Sequence, residues 1–224
     1  MVLSMTGFAA YAAYLPVLRG EWLMTGAQSG FVGGAFFFGY MLAVPFLSGI
    51  TDRLDARGVF IAACLLGFSG TTGFALFAHD VASAAFFQAL TGAGLAGTYM
   101  PGLKALTDRV EGERQSRYIS FYTAAFGIGT SLSLLSAGWL VTAMGWRTSM
   151  HLLAFGPLVA ALAMWAGLLP MTRRAGEQAP WFPRFGSVLA NRDSRRFILG
   201  HVCHCWELFG LRSWMVALQI FAKR

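Results

Sequence analysis

The densest run of chemistry-bearing residues is His201-Val-Cys203-His204-Cys205-Trp206-Glu207-Leu-Phe-Gly-Leu-Arg212, inside an apolar segment spanning roughly 197–221. If that segment crosses a bilayer, each ionisable group in it costs several kcal/mol and must face a cavity or a partner. His204 and Glu207 are three apart and share a helical face, where either could carry a proton. Glu207 and Arg212 are five apart and do not align on one ideal helix, but Gly210 between them permits a break. Arg212 could attract an anion. The competing reading is that these groups pair within a helix bundle and only hold its shape. His201, Cys203, His204, Cys205 and Glu207 are also metal-ligand types, and 201, 204 and 205 share a face. Metal centres draw ligands from several elements, and no matching cluster occurs elsewhere in the chain. The reading is therefore no metal and no cofactor, with the cysteines as packing residues.

The elements that must position these groups are long and apolar. Hydrophobic residues make up 56% of the 224 and charged residues 12%, about half the ~25% charge of soluble domains. The mean hydropathy is +0.58. An all-α integral membrane protein follows, because only helices or closed barrels satisfy their own backbone in lipid. Its 27 glycines suit helices that pack closely there. Three cysteines, Cys64, Cys203 and Cys205, are too few for a disulfide framework. About seven spans are read, near 1–18, 27–50, 58–78, 81–103, 118–143, 148–169 and 197–221. The first starts at the initiator Met without a basic leader, so it reads as a span, not a signal peptide. The absence of a polar lead suggests that the recorded start is late.

The basic residues are sorted by side. The links after the second, fourth and sixth segments hold twelve Lys and Arg, and the opposite links hold Arg19 and Arg147. The positive-inside rule then places Asp52 and the N-terminus in the cytoplasm. This topology accounts for the net charge of +7, so no nucleic-acid partner is expected. The division is 1–170 as a six-helix bundle, 171–196 as a basic cytoplasmic linker, and 197–224 as the first helix of an incomplete second bundle. Pro180, Trp181, Pro183 and six arginines in the linker would suit anionic headgroups, although a plain inter-domain loop explains them more simply.

Between the second and third segments lies Ser48-Gly49-Ile50-Thr51-Asp52-Arg53-Leu54-Asp55-Ala56-Arg57. This turn resembles the loop signature of the major facilitator superfamily of secondary transporters, Gly-x-Leu-Ala-Asp-Arg-x-Gly-Arg-Arg. Asp52, Arg53 and Arg57 stand at its Asp, Arg and last basic positions. Ser48 replaces the first Gly and Asp55 the second. The stretch Pro45 to Arg53 is echoed by Pro101 to Arg109, each ending in Thr-Asp-Arg. Gln88, Thr91, Gly92 and Gly94 resemble the family's fourth-helix pattern Arg-x-x-Gln-Gly-x-Gly, with Gln88 in the Arg position. Ser133-Leu134 occupies the Gly-Pro of the antiporter pattern, which favours a symporter or uniporter. Gly145-Trp146-Arg147 is similar to the family's turn before its sixth helix.

The resemblance implies alternating access, with the first, fourth and seventh helices lining a central cavity. Tyr11, Tyr14, Gln88, Thr91, His204, Glu207 and Arg212 are then the candidates for substrate or coupling ion. For Tyr11 and Tyr14, packing is an equal reading. Asp52, Arg53, Arg57, Asp108 and Arg109 become candidates for a cytoplasmic gating clamp. The implied partners are the lipid bilayer and a small solute, and the implied place is a bacterial inner (cell) membrane. The family usually has two six-helix halves, so the sequence reads as a truncated chain, completed by a missing C-terminal half or a second copy. No Gly-x-x-x-x-Gly-Lys-[Ser/Thr] for ATP is present. A retinal-type receptor would need a lysine within the last span, yet Lys104 and Lys223 sit at span ends. A seven-helix sensor of another kind and an inactive transporter fragment remain the alternatives. An enzyme is not expected, because the acids within the spans do not converge from several of them.

Overall fold

The computed structural model describes residues 1–171 and 185–222. Half of the expected linker, residues 172–184 with Trp181, Arg173, Arg174 and Arg184, lies outside the described residues, as do Lys223 and Arg224. After a short 3-10 helix, Leu3–Met5, the elements are α1 (Ala10–Glu21), α2 (Gly26–Arg53), α3 (Ala56–Phe77), α4 (Val81–Thr107), α5 (Glu113–Gly167), α6 (Phe185–Ala190) and α7 (Arg192–Ala222). No strand occurs among the described residues. Of these helices α2, α3 and α5 are long and apolar enough to cross a membrane by themselves. The structure is an all-α membrane bundle.

Local sequence sets the starts. Thr25 accepts from the Gln28 N–H at 3.2 Å while Gln28 accepts from the Thr25 N–H at 2.9 Å, a reciprocal cap that satisfies two orphan donors of α2. Asp80 and Ser83 do the same for α4. The Asp55 carboxylate caps α3 by accepting from the Arg57 N–H at 3.1 Å. α5 is longer than any single expected segment because the two spans expected at 118–143 and 148–169 join in it. Gly145 separates its arms with φ 77° and ψ 165°, a backbone conformation open essentially only to glycine. The arms run antiparallel, since Ser133 on one and Leu153 on the other both bond Thr6.

The first segment departs from a continuous helix over 1–18. Turns occupy residues 6–9. The N–H groups of Phe8 and Ala10 bond Met5 and Gly7, so the Ala9 N–H and the Thr6 carbonyl lose their helical partners. Ser133 replaces both, accepting from Ala9 N at 2.9 Å and donating to Thr6 O at 2.6 Å. Pro157 has no N–H to offer the carbonyl one turn back, that of Leu153. Thr6 Oγ1 donates to this carbonyl at 2.7 Å instead. The break is stitched to both arms of α5.

α4 lies between α2 and α3 at near-backbone contact. A Cβ on Gly92 would stand 1.9 Å from the Phe36 carbonyl oxygen, and one on Gly39 would stand 2.0 Å from that of Ala89. A Cβ on Gly94 would meet the Gly67 nitrogen at 2.4 Å. Such small-residue contacts let helices gain dispersion contact where lipid gives no hydrophobic drive. Trp146 packs edge to face on both Trp22 and Phe74, beside Tyr11 and Tyr14 at one end of the bundle. Outward, large apolar side chains such as Phe31, Phe121, Leu135 and Trp139 are exposed, as a lipid-facing surface requires.

Candidate functional site

A cavity of about 180 Å³ opens between α1, α2, α4, the first arm of α5, and α7. Its walls carry Phe8, Phe36, Phe37 and Phe209, with Gln88 and Arg212 among the polar groups. Gln88 is the eighth residue of α4, so it sits ~10 Å in from the helix start. Phe209 packs on Phe37 at 5.3 Å and on Phe8 at 6.4 Å between ring centroids. These contacts dock α7 against α2 and the turn before α1. Gln88 is 4% exposed, and its amide forms no hydrogen bond with the described residues. Arg212 is partly buried and has no carboxylate within salt-bridge reach among the described residues. The cavity therefore combines an aromatic shell, one amide with unused hydrogen-bonding capacity and one cation without a protein counter-ion.

The sequence-derived candidates distribute unevenly. Tyr11, Gln88 and Arg212 line this cavity. The Tyr11 hydroxyl is occupied, donating to Ser29 O at 2.8 Å, so its ring is what the cavity meets. Tyr14 is fully buried and bonds Ser149, in keeping with its packing reading. Thr91 donates to Phe87 O in its own helix at 2.9 Å. It lines a second hollow of about 20 Å³ between α3, α4 and the 3-10 helix. His204 lies in an open groove on α7 with Asp193, Arg196 and His201, and Glu207 is exposed. No set of three or more metal-ligand side chains gathers among the described residues. The aromatic wall was not singled out from the sequence. Phe209 stands three before Arg212 on the same helical face, and that spacing was the available signal.

The two ends of the bundle carry different polar networks. At the end of α2 and α4, Arg109 pairs with Asp55 at 3.6 Å and donates to Leu169 O at 2.9 Å. Asp55 also accepts from the Met171 N–H at 3.0 Å, and Arg57 donates to Trp165 O at 2.6 Å. Lys104, in the last turn of α4, pairs with Asp108, the residue that ends it, at 3.1 Å. Asp52 and Arg53 close the same turn, each with interactions of its own. Burial pushes the Asp55 carboxyl upward, but the Met171 and Arg57 N–H groups and Arg109 outweigh it and hold the carboxyl below its ordinary value. At the opposite end, Glu21 accepts from Trp146 Nε1 at 2.6 Å and from Arg147 at 3.1 Å. Arg147 also stacks over Trp146 at 4.2 Å and donates to Ala78 O at 3.3 Å. The Trp146 bond, then Arg147, keeps the Glu21 carboxyl below its ordinary value. Each network joins three connections, so each fixes the relative positions of helix ends.

A family model described as Major Facilitator Superfamily matches residues 1–222. Over 141 residues the chain is 26% identical to the niacin transporter NiaP of Acinetobacter baylyi, a match covering 63% of this chain and 31% of that one. It is 28% identical over 141 residues to the gentisate transporter of Corynebacterium glutamicum, covering 61% and 31%. It is 27% identical over 139 residues to the 4-hydroxybenzoate transporter PcaK of Acinetobacter baylyi, covering 62% and 30%. The matched stretch thus spans less than a third of each of these relatives. With the family model extending over nearly the whole chain, and with an all-helical membrane bundle beneath it, this chain belongs to the Major Facilitator Superfamily.

Proposed function

We propose that the chain contributes to secondary active or facilitative transport of a small solute by alternating access, with the cavity at Gln88 and Arg212 as its solute site. The observation that carries this reading is the cavity itself. It is walled by five helices and holds a buried amide and a cation without a protein counter-ion, among the described residues. Substrate sites of such transporters lie near the midplane between helix bundles, and the depth of Gln88 agrees with that. The transporter names of the relatives support the reading.

In this reading the network of Asp55, Arg57 and Arg109 faces the cytoplasm of a bacterial inner membrane, as the basic links suggest. It clamps helix ends in one state of the cycle. Residues 1–170 act as one rocking bundle and 171–196 as its tether. The exposed side of α7, with His204 and Glu207, faces a second bundle, whether a C-terminal half or a second copy. Polar groups exposed on a span are otherwise costly in lipid. Uptake by the reconstituted chain tests the proposal. Accumulation should follow an ion or solute gradient and vanish when that gradient is dissipated. Accumulation that requires ATP in ion-leaky vesicles would refute it.

A further inference from the structure

We infer that the cavity takes single-ring aromatic carboxylates, with Arg212 receiving the carboxylate and the Phe8, Phe36, Phe37 and Phe209 rings enclosing the ring. This inference rests on the transport reading for its location and adds the chemical class of the solute. Three features of the cavity lead to it. The first is size. An apolar cavity of ~150 Å³ accepts benzene, and this one offers about 180 Å³, room for one ring and a small charged group but not for a sugar dimer or a peptide. The second is charge. Arg212 contributes a permanent cation to the wall, with no carboxylate within salt-bridge reach among the described residues. A guanidinium in that position is best neutralised by a planar anion that accepts two parallel hydrogen bonds.

The third feature is the wall. Four phenylalanines from the first segment, α2 and α7 surround the space, and Phe36 and Phe37 meet edge to face at 5.4 Å. Such walls favour a flat ring in offset or edge contact. Gln88, buried across from α7, supplies both a donor and an acceptor for a polar ring atom or hydroxyl. An aliphatic acid would leave the aromatic wall unfilled, and a neutral ring would leave Arg212 without a counter-ion. The solutes named for the three relatives, niacin, gentisate and 4-hydroxybenzoate, are all single rings bearing a carboxylate.

Equilibrium dialysis of radiolabelled benzoate against the 224-residue chain in lipid nanodiscs tests the inference. Saturable binding is expected, displaced by 4-hydroxybenzoate but not by benzamide or acetate. Arg212→Gln should weaken binding by at least about tenfold, as loss of a charged hydrogen-bond partner does, and Arg212→Lys by less. Displacement by benzamide as strong as by 4-hydroxybenzoate overturns the carboxylate assignment, and this arm needs no variant. Unchanged affinity in a helical, monodisperse Arg212→Gln chain overturns it too, and so does the absence of saturable benzoate binding to the wild type. Gradient-driven uptake of a neutral solute, unaffected by Arg212→Gln, would refute the solute class and leave the transport reading intact. Benzoate binding at Arg212 without any uptake would do the reverse.

Discussion

α4 and α7 both contain glycines within long helices, and the two sets serve opposite ends. In α4, a Cβ on Gly92, Gly94, Gly97 or Gly102 would collide with Phe36, Gly67, Ala63 or Tyr122. In α7, Gly200 and Gly210 face open space. α4 is locked into the bundle by backbone contact, whereas α7 rests on α1 and α2 through aromatic rings and has no buried residue. A cavity between a fixed wall carrying Gln88 and a lightly docked wall carrying Arg212 can change width without unfolding either. The proposed alternating access would use such an arrangement.

The lock on α4 is tightest at Gly92. Gly92→Ala should cost about 3 kcal/mol, the upper end for overpacking, because the clash is with backbone that cannot rotate away. Thermal unfolding of the purified chain would register this as a large loss, or as failure to accumulate in membranes. Next in size is Ser133, which joins the packed core to the broken first segment. Ser133→Ala should cost about 1 to 2 kcal/mol, since two partly buried backbone groups lose their partner. Hydrogen exchange should quicken at Ala9 in particular. The opposite sign is expected in α7. Gly210→Ala should stabilise the chain by up to ~1 kcal/mol through helix propensity alone, and an equal loss there would show that α7 is packed as tightly as α4.

The smallest effect concerns the helix ends. The Asp55 and Glu21 carboxyls are both held below their ordinary values. Each therefore contributes stability that is fully present above the unfolded pKa and is lost as pH falls through the folded value. The melting temperature should be level from pH 8 to about 5 and decline below about 4. Asp55→Asn should lower the neutral-pH plateau by under about 1 kcal/mol and soften the acid decline. A steeper response at neutral pH would point to a histidine instead.

Much of this was legible in the sequence because hydropathy and charge act over short distances. The runs around α2, α3 and α4 are bounded by Thr25, Asp55 and Asp80, which cap them. Gln88 and Arg212 stand out as polar groups within apolar runs. The break at residues 6–9 was not legible. Its cause is a serine 124 residues beyond Ala9 and a proline that leaves the Leu153 carbonyl for Thr6. The Asp55–Arg109 pair was missed for a related reason. The sequence flagged Asp52 and Asp108 by their repeated motif, but pairing depends on which helix ends lie adjacent. Hydropathy also could not orient α7, because its polar groups, His201, His204, Glu207 and Arg212, are spread around the helix and do not all share one face. The docking of Phe209 on Phe8 and Phe37, with Trp214 and Ala217 packed on the core beyond it, turns Arg212 toward the cavity, and His204 lies in the open groove instead.

The most direct test places a single removable plug in the cavity. Ser213 lines the cavity, and its hydroxyl only bonds Phe209 O in its own helix at 2.8 Å, so Ser213→Cys should fold normally. With Cys203 and Cys205 replaced by serine, and Cys64 buried, a bulky maleimide would attach at this position. Gradient-driven uptake is expected before modification, with its loss afterwards and slower modification when the transported solute is present. Complete modification with uptake unchanged would contradict the cavity as the solute site.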